Sequence, residues 1–272
     1  LVPPAPALWL LADSRLPTGG HAHSGGLEAA VRRGLVRAPD DVAAWLAGRV
    51  PTAGLVIAAS AAAACVLVRA ADPPARGEPS DALVDGIFPS HEDVPARGEH
   101  PVDLDDSGFP SRGVAPLDWT RWDAAVSART PVAALREVSR AQGRAMLRTV
   151  RAAWPHAAVD GLGARPHQAL VLGVVTAAAG GSAHDAAALA VHHLVGQVCS
   201  AGVRLLGLDP LALAGVHARA LEGHADVIAR AADAGTRAAV RDEPDLLPTA
   251  TTPLPEVLAV VHARSEGALF AS

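Results

Sequence analysis

The sequence predicts an all-α protein: a single compact, helical bundle-like domain carrying a flexible acidic insertion. Composition is the first reason. Half of the 272 residues are apolar, yet there is no Tyr, and only three Phe and five Trp. A core of Ala, Leu and Val suits closely packed helices better than a sheet, whose central strands favour β-branched and aromatic side chains. Periodicity is the second, because apolar positions recur at three- and four-residue spacing along most of the chain. The third is the lack of an alternating helix–strand rhythm, and with it of GxxxxGK[ST], HExxH or GxSxG sequences. A chain of this length buries a sizeable core.

The same composition narrows the partners. A net charge of −5 argues against a nucleic-acid binder. Cys65 and Cys199 form no CxxC or CxxH unit and lie in apolar helical contexts, as expected of buried free thiols in a reducing compartment. Leu8–Leu11 has no basic region before it and runs into Asp13-Ser14-Arg15, unlike a secretory signal. Alanine-rich Leu55–Val68 is short and weakly hydrophobic against the roughly 20 residues a bilayer span needs. A cytoplasmic protein with no membrane contact is expected.

In chain order, the apolar run ending at Leu11 is followed by a short amphipathic segment from Leu27-Glu28, with Gly34 as its stop. Pro39-Asp40-Asp41 offers an N-cap for Val42–Val50, and Pro51 kinks the chain before Thr52–Arg69 resumes. Leu117–Ala128 is helical. Thr130-Pro131 then offers a cap with proline at the first helical position of a helix reaching Ala153. Within that helix, Arg136, Arg140, Arg144, Arg148 and Arg151 form a basic stripe, read either as a solvated face or as a dock for an acidic surface. Gln142-Gly143 thins the helix and lets a neighbour approach. A connection at Pro155–Gly163 precedes a helix beginning at Pro166-His167-Gln168 and stopped by Gly180-Gly181. Ser182 and Asp185 cap the next, Ala183–Val203. Asp209-Pro210 opens a helix to about Ala232, with His217, Leu221, His224 and Ile228 on one side. The last helix spans about Leu254–Gly267.

Between these halves the character changes. Residues 72–116 hold ten acidic and three basic side chains and repeat themselves: PARGEPSDALVDGIFPS at 74–90 returns 21 residues later as PARGEHPVDLDDSGFPS, ten of 17 positions identical. Such a segment cannot offset its ordering entropy by core burial, so it reads as a mobile tandem duplication. Its net −7 leaves the rest of the chain at +2. The organisation is therefore 1–71 and 117–272 as one helical domain with 72–116 inserted.

Chemistry concentrates in one corner, LLADSRLPTGGHAHSGGLEAAVRRGLV. Pro17, Gly19 and Gly20 shape the backbone so that His21 and His23 are presented just before Ser24, Gly25 and Gly26. Three readings stand: a packed turn, a metal-binding loop, or a partner-binding corner. Nothing orients Ser24 and the histidines as a hydrolytic triad.

This corner, together with LREVSRAQGRAMLR (135–148), the 167–208 stretch HQALVLGVVTAAAGGSAHDAAALAVHHLVGQVCSAGVRLLGL and the terminal HARSEGALFAS, resembles the UreF family of urease accessory proteins. The resemblance covers about 220 residues outside the insertion. It implies a homodimeric all-α protein that bridges UreD (also called UreH), which binds the urease apoprotein, and the GTPase UreG. Nickel is then the cargo, GTP belongs to UreG, and this chain holds no fixed cofactor and is not an enzyme. Pro17, Gly19, Ser24 and Glu28 match the family corner, whereas His21 and His23 stand where aromatics are usual. Of the terminal pattern, His262, Leu269, Phe270 and Ser272 are kept, while Ala263 and Ala268 replace an acidic and a basic member. Gly207-Leu208-Asp209-Pro210 replaces a Leu-Gly-Gln segment. The implied partner-binding set adds Arg140 and Arg144 of the basic stripe. The alternatives are a helical regulatory scaffold unrelated to urease, and a metal-dependent hydrolase using His21 and His23.

Overall fold

The computed structural model describes residues 6–13, 16, 23–71, 117–153 and 156–262, and every regular element among them is a helix. In chain order these are α1 (Pro6–Ala12), α2 (Leu27–Arg32), α3 (Pro39–Arg49), α4 (Leu55–Ala71), α5 (Trp119–Ala128), α6 (Ala133–Ala153) and α7 (Ala157–Asp160). There follow α8 (Gln168–Ala178), α9 (Ala183–Leu206), α10 (Pro210–Gly223), α11 (Ala225–Arg241) and α12 (Pro253–His262). The predicted 72–116 insertion lies outside the described residues.

Helix α4 is the central pillar. Ala58, Ala59, Ala61, Ala62, Ala63 and Ala64 are all fully enclosed, and α8, α9 and α11 pack around them. Alanine gives α4 a thin cylinder, and glycine on the neighbours removes what bulk remains. A Cβ on Gly173 of α8 would sit 2.1 Å from the Ala61 carbonyl oxygen, and one on Gly235 of α11 would sit 2.4 Å from that of Ala59. Backbones, not side chains, set these two spacings. The expected thinning at Gly143 is borne out too, since its Cβ would fall 2.0 Å from the Pro166 carbonyl oxygen. Helices from both sides of 72–116 share this core.

Pro51 widens the helix rather than breaking it. Val50–Gly54 forms a π-helical turn that joins α3 to α4. Proline carries no N–H, so carbonyls in the turn before it need other donors. The Thr52 hydroxyl lies 2.8 Å from the Gly48 carbonyl and 3.2 Å from that of Arg49. It also shares a short hydrogen bond with the Thr252 hydroxyl at the start of α12. The continuous rod Pro39–Ala71 corrects the expectation that Leu55–Val68 is too short and too weakly hydrophobic to span a bilayer, and Ala183–Leu206 is a second helix long and apolar enough. Both pass on length and composition, but 67% and 61% of their most apolar windows are buried against the protein itself. They read as core helices.

Several boundaries moved for local reasons. Helix α3 starts after Ala38, where the Asp41 carboxylate accepts the backbone N–H groups of Arg37 and Ala38, so the acidic pair caps from inside the first turn. Thr130 does not cap α6; its hydroxyl turns back to the Val126 carbonyl of α5. The helix expected from Asp209 to Ala232 is two, divided at His224, whose ring donates to the Ala220 carbonyl. By contrast, the Ser182–Asp185 capping box and the αL stop at Gly34, with φ of 68°, stand as read. Cys65 and Cys199 are buried free thiols, pushed up by burial to about 12 and about 11, which keeps them unreactive.

Histidines fasten the first helix. His193 donates to the Leu11 carbonyl at 2.8 Å and His192 to that of Ala12 at 2.9 Å, filling the orphan acceptors at the end of α1. His217 of α10 then donates to the second nitrogen of His192 at 3.1 Å. Burial pulls His193 and His217 down to about 4. Buried His167, held between the Ser127 and Ser139 hydroxyls at 2.9 Å each, is pulled down to about 4 as well. In the unfolded chain these rings titrate near 6.5. Between those values the unfolded state binds more protons, so stability rises with pH through that window. Urea midpoints are therefore expected to fall as pH drops from about 6.5 towards 4, and His193→Gln should flatten the slope; equal slopes would refute this assignment.

Candidate functional site

The two ends of the family-like pattern meet around Glu28. Gly25 and Gly26, with φ of 62° and 83°, turn the chain into α2. A Cβ on Gly25 would sit a tight 3.0 Å from Val198, while one on Gly26 would be in ordinary contact, 3.5 Å from the Arg49 guanidinium, so at Gly26 it is the positive φ that calls for glycine. The Ser24 hydroxyl then accepts the Glu28 N–H at 3.3 Å, closing the first turn. This places the Glu28 side chain inward, only 1% exposed. One carboxylate oxygen accepts from Arg32 at 2.9 Å, and the other lies 3.5 Å from Nε2 of buried His262 at the end of α12. A chain separation of more than 230 residues is thus closed by one ion-paired carboxylate.

His23, Ser24, Glu28 and His262 are all buried, so their side chains brace the corner rather than coat its surface. The surface beside them belongs to α12. Its inner face buries Pro255, Leu258, Ala259 and His262, and its outer face leaves Leu254, Val257, Val260 and Val261 exposed. These four side chains form an apolar stripe open to solvent. Pro17, Gly19, His21, Leu269, Phe270 and Ser272 lie outside the described residues. Among those residues, no group of three or more His, Cys, Asp or Glu side chains is arranged to hold a metal ion.

The basic stripe divides in the structure. Arg140 points inward, gripping the Asp123 carboxylate with two nitrogens, at 2.6 and 3.2 Å, and reaching the Arg165 carbonyl and the Ser127 hydroxyl. It ties α5, α6 and the approach to α8 together, so its charge is largely spent inside the fold. Arg136 likewise turns to the carbonyls of Thr130 and Pro131. Arg144 is half-buried on the same helix, and Arg148 is exposed.

Sequence reading missed a second polar concentration. Arg129 reaches the Leu247 and Asp245 carbonyls, Arg121 pairs with Asp242 at 2.9 Å, and Trp122 donates to the same carboxylate. These side chains fasten α5 to the segment before α12. Periodicity contained the signal for another group: Arg49 falls three residues after Leu46 and seven after Val42, on the buried face of α3.

The UreF family model matches residues 36–221. The chain is 37% identical over 267 residues to the urease accessory protein UreF of Mycolicibacterium vanbaalenii, covering 97% of each. It is 34% identical over 265 residues to that of Mycobacterium marinum, again 97% of both. Against the Mycobacterium bovis protein the identity is 35% over 204 residues, 75% of this chain and 74% of its relative. The all-α architecture and the full-length similarity agree: this chain belongs to the UreF family of urease accessory proteins.

Proposed function

We propose that the chain is a cytoplasmic assembly factor, acting as a homodimer and without chemistry of its own, that bridges UreD/UreH and the GTPase UreG during GTP-dependent nickel insertion into apo-urease. The observation that carries this reading is the Glu28–His262 junction. It joins the N-terminal corner to the last described helix, which ends at His262, the first residue of the terminal stretch that carries the resemblance. A docking surface composed of two distant segments needs such an internal brace to keep its shape. The exposed apolar face of α12 supplies contact area beside it. Nickel is cargo in this scheme, and GTP is held by UreG.

The test is reconstitution of the chain with UreD, UreG and apo-urease of its own organism, plus GTP, Ni²⁺ and bicarbonate. The chain is expected to join the complex and raise urease activity well above a control that omits it. No change in activity and no co-elution would overturn the proposal. Within the same assay, Phe270→Ala is expected to weaken UreD association about tenfold or more, as truncating an aromatic interface residue does. Unchanged affinity would remove the C-terminal tail from the interface.

A further inference from the structure

A cavity of about 420 Å³ lies between α9, α10 and the end of α1, with exposed Pro210 and Ala214 in its lining. Half-buried His192 of α9 and His217 of α10 also line it, and Nε2 of His217 stands 3.1 Å from Nδ1 of His192. Two features set this contact apart from an ordinary hydrogen bond. The first is its shape. The ring centroids are only 4.7 Å apart with planes inclined by 39°, too close for rings meeting head-on across 3.1 Å, so the two nitrogens meet at a bend. A hydrogen bond prefers a straight approach, whereas two ligands on one ion meet at an angle. A dication about 2.1 Å from each nitrogen would set them roughly 3.0–3.4 Å apart. The second feature is the tautomer. His192 gives its Nε2 proton to the Ala12 carbonyl at 2.9 Å, which leaves the lone pair on Nδ1, the nitrogen that meets His217. A backbone carbonyl holding the far nitrogen is the usual support of a metal-bound imidazole.

We propose that His192 and His217 form a two-histidine site for a first-row transition-metal dication, which takes the place of the proton the two rings now share. His217 then carries its proton on Nδ1 and binds through Nε2, so the rings neither gain nor lose a proton overall. Among the described residues no third His, Cys, Asp or Glu joins the pair, and water in the cavity completes the coordination. Two imidazoles favour nickel, copper or zinc over magnesium or calcium, which seek oxygen. Charge points the same way, because the one charged residue among those lining the cavity, Asp13, is acidic. The ion joins α9 to α10 and, through the Ala12 hydrogen bond, to α1, so its binding stabilises the folded chain.

This site does not depend on the urease assembly reading, because the full chain alone is enough to test it. Zn²⁺ and Ni²⁺ are titrated calorimetrically with Mg²⁺ as control, and the Zn²⁺ titration is repeated with long-range ¹H–¹⁵N spectra of the histidine rings. Zn²⁺ is expected to shift Nδ1 of His192 and Nε2 of His217, and Mg²⁺ to shift neither. His217→Gln keeps a donor for His192 but ligates poorly, so it is expected to stay folded and to weaken this binding by about tenfold or more. His224→Gln, outside the cavity, should leave it unchanged. Ring signals of His192 and His217 unmoved by saturating Zn²⁺ would overturn the proposal. So would equal Zn²⁺ binding by His217→Gln and the unmodified chain.

Discussion

Replacing Gly173 with alanine is expected to destabilise the protein by about 3 kcal/mol, at the upper end of ordinary overpacking. The added methyl would meet the Ala61 carbonyl oxygen at 2.1 Å and the Ala64 Cβ at 2.6 Å. The first is backbone, so no rotamer change relieves it. Helices α4 and α8 must separate, and α4 is held from the opposite side by α11 through Gly235. The sign makes the test clean, because glycine to alanine within a helix ordinarily gains about 1 kcal/mol. Gly48 of α3, with nothing within 4 Å of its would-be Cβ, is the matching control. Urea unfolding should show a lower midpoint for Gly173→Ala and a higher one for Gly48→Ala, with unchanged slopes. Movement of both midpoints in the same direction would contradict a backbone-spaced core.

Glu28→Ala is expected to cost about 3 kcal/mol as well, for a different reason. Removing the carboxylate empties a site that is 1% exposed and takes an acceptor from Arg32, 40% exposed, and a contact from His262, 3% exposed. Glu28→Gln keeps the shape and an acceptor oxygen, so its loss should be about half as large. The damage should also be local. Limited proteolysis is expected to release the α12 end before the α4 core opens, since these elements are linked mainly through the corner. Cleavage at equal rates in the two regions would argue that Glu28 is a general core residue rather than the brace between two segments.

Much of this architecture was legible because its rules act over a few residues. Gly34 and the Ser182–Asp185 box are decided within one turn, and each was readable from local chemistry, whereas Pro51, expected to kink the chain, widens the helix instead. The division at His224 was not, since the apolar and polar pattern of Pro210–Gly223 runs on across it without a glycine–proline break. Site residues split along the same line. Glu28 and His262 were each marked by family resemblance, but their pairing is a tertiary fact. Arg140 looked like part of a solvated or docking stripe because spacing of four is blind to Asp123, which arrives from another helix. Arg49 carried a usable sign, a polar residue in register with buried apolar ones.

The rod formed by α4 also fixes a distance. Seventeen residues at about 1.5 Å each give roughly 25 Å. At its first turn lie the Thr52–Thr252 link and the corner; at its last, where Arg69 donates to the Gly181 carbonyl, the chain enters the acidic 72–116 stretch. The chain therefore leaves for 72–116 at the end of α4 remote from the Thr52–Thr252 link, so on the proposed assembly role the 21-residue repeat begins roughly 25 Å or more from that link.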